Sequence, residues 1–360
     1  MNNKVLVIGA FDLLHAGHAR FLAEARSFGD KLVVGVASDD SRERQKGPGH
    51  PLVDEKNRAA LLKFIKPVGE VRIVDEEDIL DLIISVKPSV FYTLRGNSFK
   101  KEEIDSIRKF GGRVARVEKQ LPYLSSSEMV DRVADLKIKQ VVEYFIGKVE
   151  NKTYSGKRSE AQFFNPKIHE SVLAVGSANV PSNLLGLMYF GNIVPASDLA
   201  VLGKKLRKEG NTIVFTAIGG DLLHVGHAKY LKKAADLGDY LVVGIPSNKS
   251  MRRQKGKGRP VIDEISRAEL LCYLNGVSSV VIFDEDTVLE TIQSLKPDIF
   301  QTVDDVWNKN YKKSLEYKAV VAYGGKVVLC SKQAEGVSAT QLINKAAKVR
   351  LERMFKDCLR

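Results

Sequence analysis

Apolar and polar positions divide the chain into two kinds of segment. Short runs such as VLVIG (5–9), KLVVGVAS (31–38) and YLVVGIPS (240–247) carry almost no polar residues. Such runs suit strands buried on both faces. The segments that follow, HARFLAEARSFG (18–29) and HAKYLKKAADLG (227–238), space their apolar residues by three and four. That spacing predicts helices with one buried stripe. Continuous apolar strands alternating with amphipathic helices predict an α/β protein whose parallel sheet is covered on both sides.

The pattern is written twice. Shifting the sequence by 209 residues aligns the stretch from Asp12 to Thr93 with that from Asp221 to Thr302 without a gap. GDKLVVGVASDDSRERQKG (29–47) faces GDYLVVGIPSNKSMRRQKG (238–256), and Arg58 faces Arg267. After a gain of four residues, LSSSEMV (124–130) faces VSATQLI (337–343). A repeat of this length is a duplicated domain. The expected fold is therefore two tandem Rossmann-like, doubly wound parallel-sheet domains, at 1–133 and 210–346. Residues 134–209 repeat nothing and read as a helical or irregular connector, with a dimer-forming or lid element as the alternative. Residues 347–360 read as a C-terminal helical tail.

Composition narrows the class. Apolar residues make up 44% and charged residues 28%, as in a soluble globular protein. Cys272, Cys330 and Cys358 form neither a CxxC pair nor a disulfide framework, which predicts a reducing, cytoplasmic setting. The opening MNNKVLVIGAFD suits a buried strand better than a signal-peptide core. The uncharged stretch from Ser171 to Ser197 is broken by Pro181, Pro195 and several Asn and Gly residues, so no membrane span is expected. The net charge of +12 favours anionic partners. It is spread without a basic tail or an aromatic-interleaved basic block, so small phosphorylated molecules are favoured over nucleic acid.

Four of the six histidines occur in two copies of one phrase, DLLHAGH (12–18) and DLLHVGH (221–227). Each copy lies between the first strand and the first helix of its unit, where parallel α/β sheets bind ligands. The turn Gly9-Ala10-Phe11-Asp12 presents backbone N–H groups beside a helix N-terminus, a ready anion site. His15 and His18, three apart, share a face of the opening turn. Gly17 between them leaves the backbone open to a close phosphate. Imidazole donors can hold phosphate oxygens while charge develops in phosphoryl transfer. A zinc site would need a third ligand at proper spacing, and a serine nucleophile would need a G-x-S-x-G elbow. Neither pattern is present, and no protein metal ligand is predicted.

GAFDLLHAGH (9–18) resembles the GxFDxxHxGH signature of the cytidylyltransferase-like nucleotidyltransferases. That family includes glycerol-3-phosphate and phosphoethanolamine cytidylyltransferases and the nucleotidyltransferase domain of ADP-heptose synthase. The resemblance implies transfer of CMP or AMP from CTP or ATP, with Mg²⁺, to a phosphorylated alcohol or sugar, releasing pyrophosphate. It implies triphosphate contacts for His15 and His18 and a phosphate contact for Lys46. Arg58 is implied to meet acceptor or phosphate. LRGNS (94–98) resembles the base- and ribose-binding stretch, bringing in Arg95, Gly96 and Asn97. Ser125, Ser126 and Ser127 match a phosphate-receiving helix start, although Ser125 with Glu128 also reads as a plain capping box. Dimers are common in the family, so a homodimer is a further expectation.

In the second copy the corresponding candidates are Asp221, His224, Gly226, His227, Lys255 and Arg267. Asp305, in TVDDVW, and Ser338 and Thr340, in EGVSAT, resemble the family's late motifs. This copy has Ile218 where the first has Gly9, and Gly220 where the first has Phe11. A bulky Ile218 at a tight phosphate turn counts against it, and the first copy is expected to be the active one. The tandem layout and late motif favour CTP slightly over ATP. The competing readings are a nucleotide-binding regulator without turnover and an RNA-binding protein using SMRRQKGKGR (250–259).

Overall fold

The computed structural model describes residues 3–117, 128, 129, 131, 134, 135, 138, 192–256, 258–304, 311–331 and 338–358. The first domain is a parallel sheet of β1 (Lys4–Gly9), β2 (Lys31–Ala37), β3 (Glu70–Val74), β4 (Val90–Leu94) and β5 (Arg113–Val117). Its order is β3-β2-β1-β4-β5. The helices are α1 (Ala16–Arg26), α2 (Asp39–Lys46), α3 (Glu55–Leu62), α4 (Ile79–Val86) and α5 (Lys101–Lys109). Strand order reverses between β1 and β4, which opens a crevice at their carboxyl ends.

The all-apolar runs form strands because each must satisfy two cores. Val5 and Val7 enter one apolar cluster and Leu6 the opposite one, and all three are fully buried. In α1, the buried Ala16, Ala19, Leu22 and Ala25 recur every third residue, a stripe that seats the helix on the sheet. The α4 helix stops at Lys87, whose φ of 51° is left-handed, directly before Pro88.

The second domain repeats the design with β7 (Ile213–Ala217), β8 (Tyr240–Pro246), β9 (Ser279–Phe283), β10 (Ile299–Val303) and β11 (Lys326–Cys330). A short β6 (Ile193–Val194) extends the sheet beside β9, giving the order β11-β10-β7-β8-β9-β6. Its helices are α6 (Leu199–Lys208), α7 (Val225–Ala235), α8 (Asn248–Lys255), α9 (Glu264–Cys272), α10 (Leu289–Leu295) and α11 (Leu315–Ala322). A long α12 (Ala339–Cys358) follows.

Ahead of the second repeat, β6 pairs with β9, and α6 buries Leu199 and Leu206 among Ile213, Phe215 and Leu295. The C-terminal helix is continuous through 346 and 347. The rest of the expected connector, 139–191, lies outside the described residues.

The domains meet through equivalent helices in reciprocal pairs, α1 against α9 and α3 against α7. That reciprocity is the signature of a pseudo-twofold, isologous contact made within one chain. Ile65 and Leu274 form an antiparallel bridge across it, and Lys66 Nζ donates to the carbonyls of Cys272 and Val277, each at 2.8 Å. The Arg20 guanidinium forks onto the Glu269 carboxylate, with Nη2 to Oε2 at 3.0 Å. Lys229 and Ala60 occupy the matching positions, so this bidentate pair is not repeated. No described helix is long and apolar enough to cross a membrane.

Candidate nucleotide-transfer site

The first-domain site is built where β1 ends. Gly9 to Asp12 turn the chain, His15 takes the N-cap position, and α1 follows. The backbone N–H of His18 donates to His15 Nδ1 at 3.4 Å, a long bond that marks Nδ1 as the acceptor. The two rings stack with centroids 3.8 Å apart. Burial, reinforced by the neighbouring His15 and opposed by the Leu13 backbone, holds the His18 pKa well below its ordinary value. His18 is therefore a neutral imidazole at physiological pH, and its Nδ1 is buried with no hydrogen-bond partner.

Asp12 ties the turn to a second loop. Its carboxylate accepts from Leu52 N at 3.0 Å and Val53 N at 2.8 Å. Arg58 completes the tie from below, donating to Val53 O at 2.8 Å, Ala10 O at 2.6 Å and Asp39 Oδ1 at 2.6 Å. Its side chain is wholly buried. These contacts make Arg58 an organiser of the turn and the 47–54 loop, facing protein oxygens. Sequence reasoning missed Arg42, a partly buried cation that senses both Asp12 and Arg58. Burial is the first cause of its lowered pKa, with Asp12 opposing.

At the carboxyl end of β4, across the crevice, lie Arg95, Gly96 and Asn97. Arg95 N donates to Val117 O, and Asn97 Nδ2 donates to Thr93 Oγ1 at 3.1 Å. Gly96, at φ 94°, makes the bend that carries this stretch over the strand end. The fold thus brings the HxGH turn and LRGNS to the two sides of one switch point. Gly17 sits half-buried in the first turn of α1, and Lys46 is exposed at the end of α2. Ser125, Ser126 and Ser127 lie outside the described residues, as does Asp305.

The second copy keeps this frame. Asp221 accepts from Val261 N and Ile262 N, and Arg267 donates to Ile262 O and Gly219 O. Burial lowers the pKa of His224 to about 4. It lowers His227 to about 3, helped by His224 and Lys255. His224 N donates to His227 Nδ1, reversing the sense found in the first copy. Gly226 is buried in the first turn of α7. Arg259 stands at the position of His50 and donates to Asp221 Oδ2 at 2.6 Å. Lys255 differs from Lys46: its ammonium comes within 3.4 Å of where a Cβ on Gly219 would lie. Burial lowers its pKa, with Arg259 and Arg267 adding and Asp221 opposing. Ser338 Oγ accepts from Gln341 N at the start of α12, while Thr340 is exposed.

No group of three His, Cys, Asp or Glu side chains among the described residues is arranged to hold an ion. Both oxygens of Asp12 are already engaged by backbone amides.

The cytidylyltransferase-like family matches residues 6–149 and 220–345. The bifunctional protein HldE of Geobacter metallireducens is 40% identical over 178 residues, covering 48% of this chain and 36% of the relative. HldE of Syntrophotalea carbinolica is 45% identical over 139 residues, covering 39% of this chain and 28% of the relative. This chain therefore spans about a third of the length of these relatives. A solved lipopolysaccharide core biosynthesis protein from Thermoplasma volcanium is 33% identical, covering 34% of this chain and all of its own, with a TM-score of 0.30. With the two family matches together taking in more than half of the 360 residues, the chain belongs to the cytidylyltransferase-like family of nucleotidyltransferases, represented twice over.

Proposed function

We propose that the first domain transfers a nucleoside monophosphate from CTP or ATP to a phosphorylated alcohol or sugar. A phosphate oxygen of the acceptor attacks the α-phosphorus, the bond to the bridging oxygen breaks, and pyrophosphate leaves. The observation that carries this reading is the stacked His15–His18 pair at the α1 N-terminus, where β1 neighbours the β4 strand that ends in LRGNS. The two imidazoles and a helix start supply N–H donors for triphosphate oxygens, the stabilisation such transfers need. Lys46 is the mobile cation for the leaving phosphates. Magnesium enters as part of the triphosphate substrate, held by phosphate oxygens and water, since the Asp12 carboxylate serves the loop. CTP is favoured slightly over ATP on the tandem layout and the late motif.

The test is a pyrophosphate-release screen of CTP and ATP against phosphocholine, phosphoethanolamine, glycerol phosphate and sugar 1-phosphates. One pair should turn over and the rest should not. Nucleotide binding without release from any pair would instead support a regulator. Salt-dependent RNA affinity, lost when Arg252, Arg253 and Lys255 are neutralised, would support the RNA reading.

The second domain favours a further reading of its own, a second triphosphate site. Its turn is held by the same Asp221 and Arg267 contacts, with Lys255 brought over Gly219.

A further inference from the structure

The loop that Asp12 holds from one side is held from the other by the second domain. Lys345, on α12, donates from Nζ to the carbonyls of Pro51 and Leu52, each at 2.9 Å. One turn further along, Val349 fills the space beside Gly49. A Cβ on Gly49 would lie 2.5 Å from Val349 Cγ2, and Gly49 has a φ of 87°. Leu342, Ala346 and Val349 of the same helix face share an apolar cluster with Leu13, Leu52 and Val53. Arg350 adds ion pairs to Asp131, near the end of the first repeat, and to Asp135 just beyond it, at 3.5 and 3.6 Å.

These contacts form a continuous path. Lys345 fixes the carbonyls of Pro51 and Leu52, the amides of Leu52 and Val53 fix Asp12, and Asp12 sits at the end of the turn that presents His15. We propose that Lys345 is a positioning residue contributed by the second domain, so that α12 braces the phosphate turn of the first domain. The proposal rests on reading the first domain as the transferase site. It gives the second copy a task that does not require turnover of its own: its C-terminal helix keeps the 47–54 loop from drifting away from the triphosphate. A cation over two carbonyls is a charge-assisted contact, strong enough to matter at this scale.

The experiment uses the full chain with Lys345→Met, which keeps the stem and removes the ammonium, and Lys345→Arg as the conservative variant. Amide exchange of residues 47–54 and steady-state pyrophosphate release are measured side by side. Lys345→Met should speed exchange at Leu52 and Val53 and lower kcat/KM for the triphosphate about tenfold. Lys345→Arg should restore both, and the melting temperature should stay within a few degrees of the unmodified chain. Unchanged exchange overturns the proposal, as does faster exchange with unchanged kcat/KM. If Lys345→Met does not fold, Val349→Ala tests the same brace through Gly49, with the same two readouts. Should the unmodified chain release no pyrophosphate with any acceptor, the transferase reading fails, while the exchange at Leu52 and Val53 still decides whether the brace exists.

Discussion

A Cβ placed on Gly9 would lie 2.9 Å from the ring of Phe11. The ring of Phe11 also stands 5.3 Å from that of His18, so the phenyl group occupies the inside of the phosphate turn. In the second domain the same two positions are Ile218 and Gly220. The large side chain has moved from the third position of the turn to the first, and the small one has taken its place. Phe11 is held at φ 49° and Gly220 at φ 63°, so the backbone takes the same left-handed bend in both. Ile218 is partly buried and packs against the main apolar cluster.

This exchange can be run in the first domain. Gly9→Ile alone drives a branched side chain into Phe11 and should cost about 1–3 kcal/mol, the usual range for overpacking. The double change Gly9→Ile with Phe11→Gly should recover most of that loss, since glycine also suits the left-handed φ. Urea denaturation of the three proteins gives the comparison. A double variant no more stable than Gly9→Ile would mean the two positions are not coupled.

The histidines should separate the copies. His15→Ala or His18→Ala is expected to lower kcat by at least about a hundredfold, the scale for losing a preorganised donor. His224→Ala should leave turnover far less affected. If turnover instead survives loss of His15 and His18 and vanishes with His224, the active copy is the second.

Depressed histidine pKa values also set a pH dependence of stability. His224 and His227 stay neutral in the folded protein down to about 4 and about 3, whereas in the unfolded chain they protonate near their ordinary value. Below that ordinary value the unfolded state binds more protons, so stability falls with pH until the folded-state values are reached. At higher pH both states are neutral and the two groups contribute nothing. Melting temperature should decline from pH 7 to pH 5, and His224→Asn with His227→Gln should flatten that slope. Equal slopes in the two proteins would remove these histidines as the cause.

The domain interface holds a polar pair whose loss should be felt. The Glu269 carboxylate is almost fully buried under Arg20. Arg20→Ala leaves that charge in the interface without the guanidinium and should cost about 3 kcal/mol. Replacing both residues with apolar ones, Arg20→Met and Glu269→Leu, should cost much less, because no buried charge remains. Chemical denaturation of the single and double variants distinguishes them, and equal losses would show that packing, not charge, dominates there.

Much of this architecture is legible in the sequence because it depends on local periodicity and on repetition. VLVIG and KLVVGVAS have no polar face to turn to solvent, so they are buried in parallel sheets wherever the helices pack. The shift of 209 residues marks the duplication, and DLLHxGH lies at a strand end because Asp12 and His15 are close in sequence to β1. What tertiary structure decided was where distant residues met. Arg58 is buried and donates to Val53, Ala10 and Asp39, partners that its place in the sequence does not reveal. The strand at 193–194 and the helix after it joined the second domain through pairing that no repeat records. Lys345 reached Pro51 and Leu52 across nearly the whole length of the chain. Periodicity reports which face of an element is buried; it does not report the partner, because the pseudo-twofold packing of the domains chooses that partner.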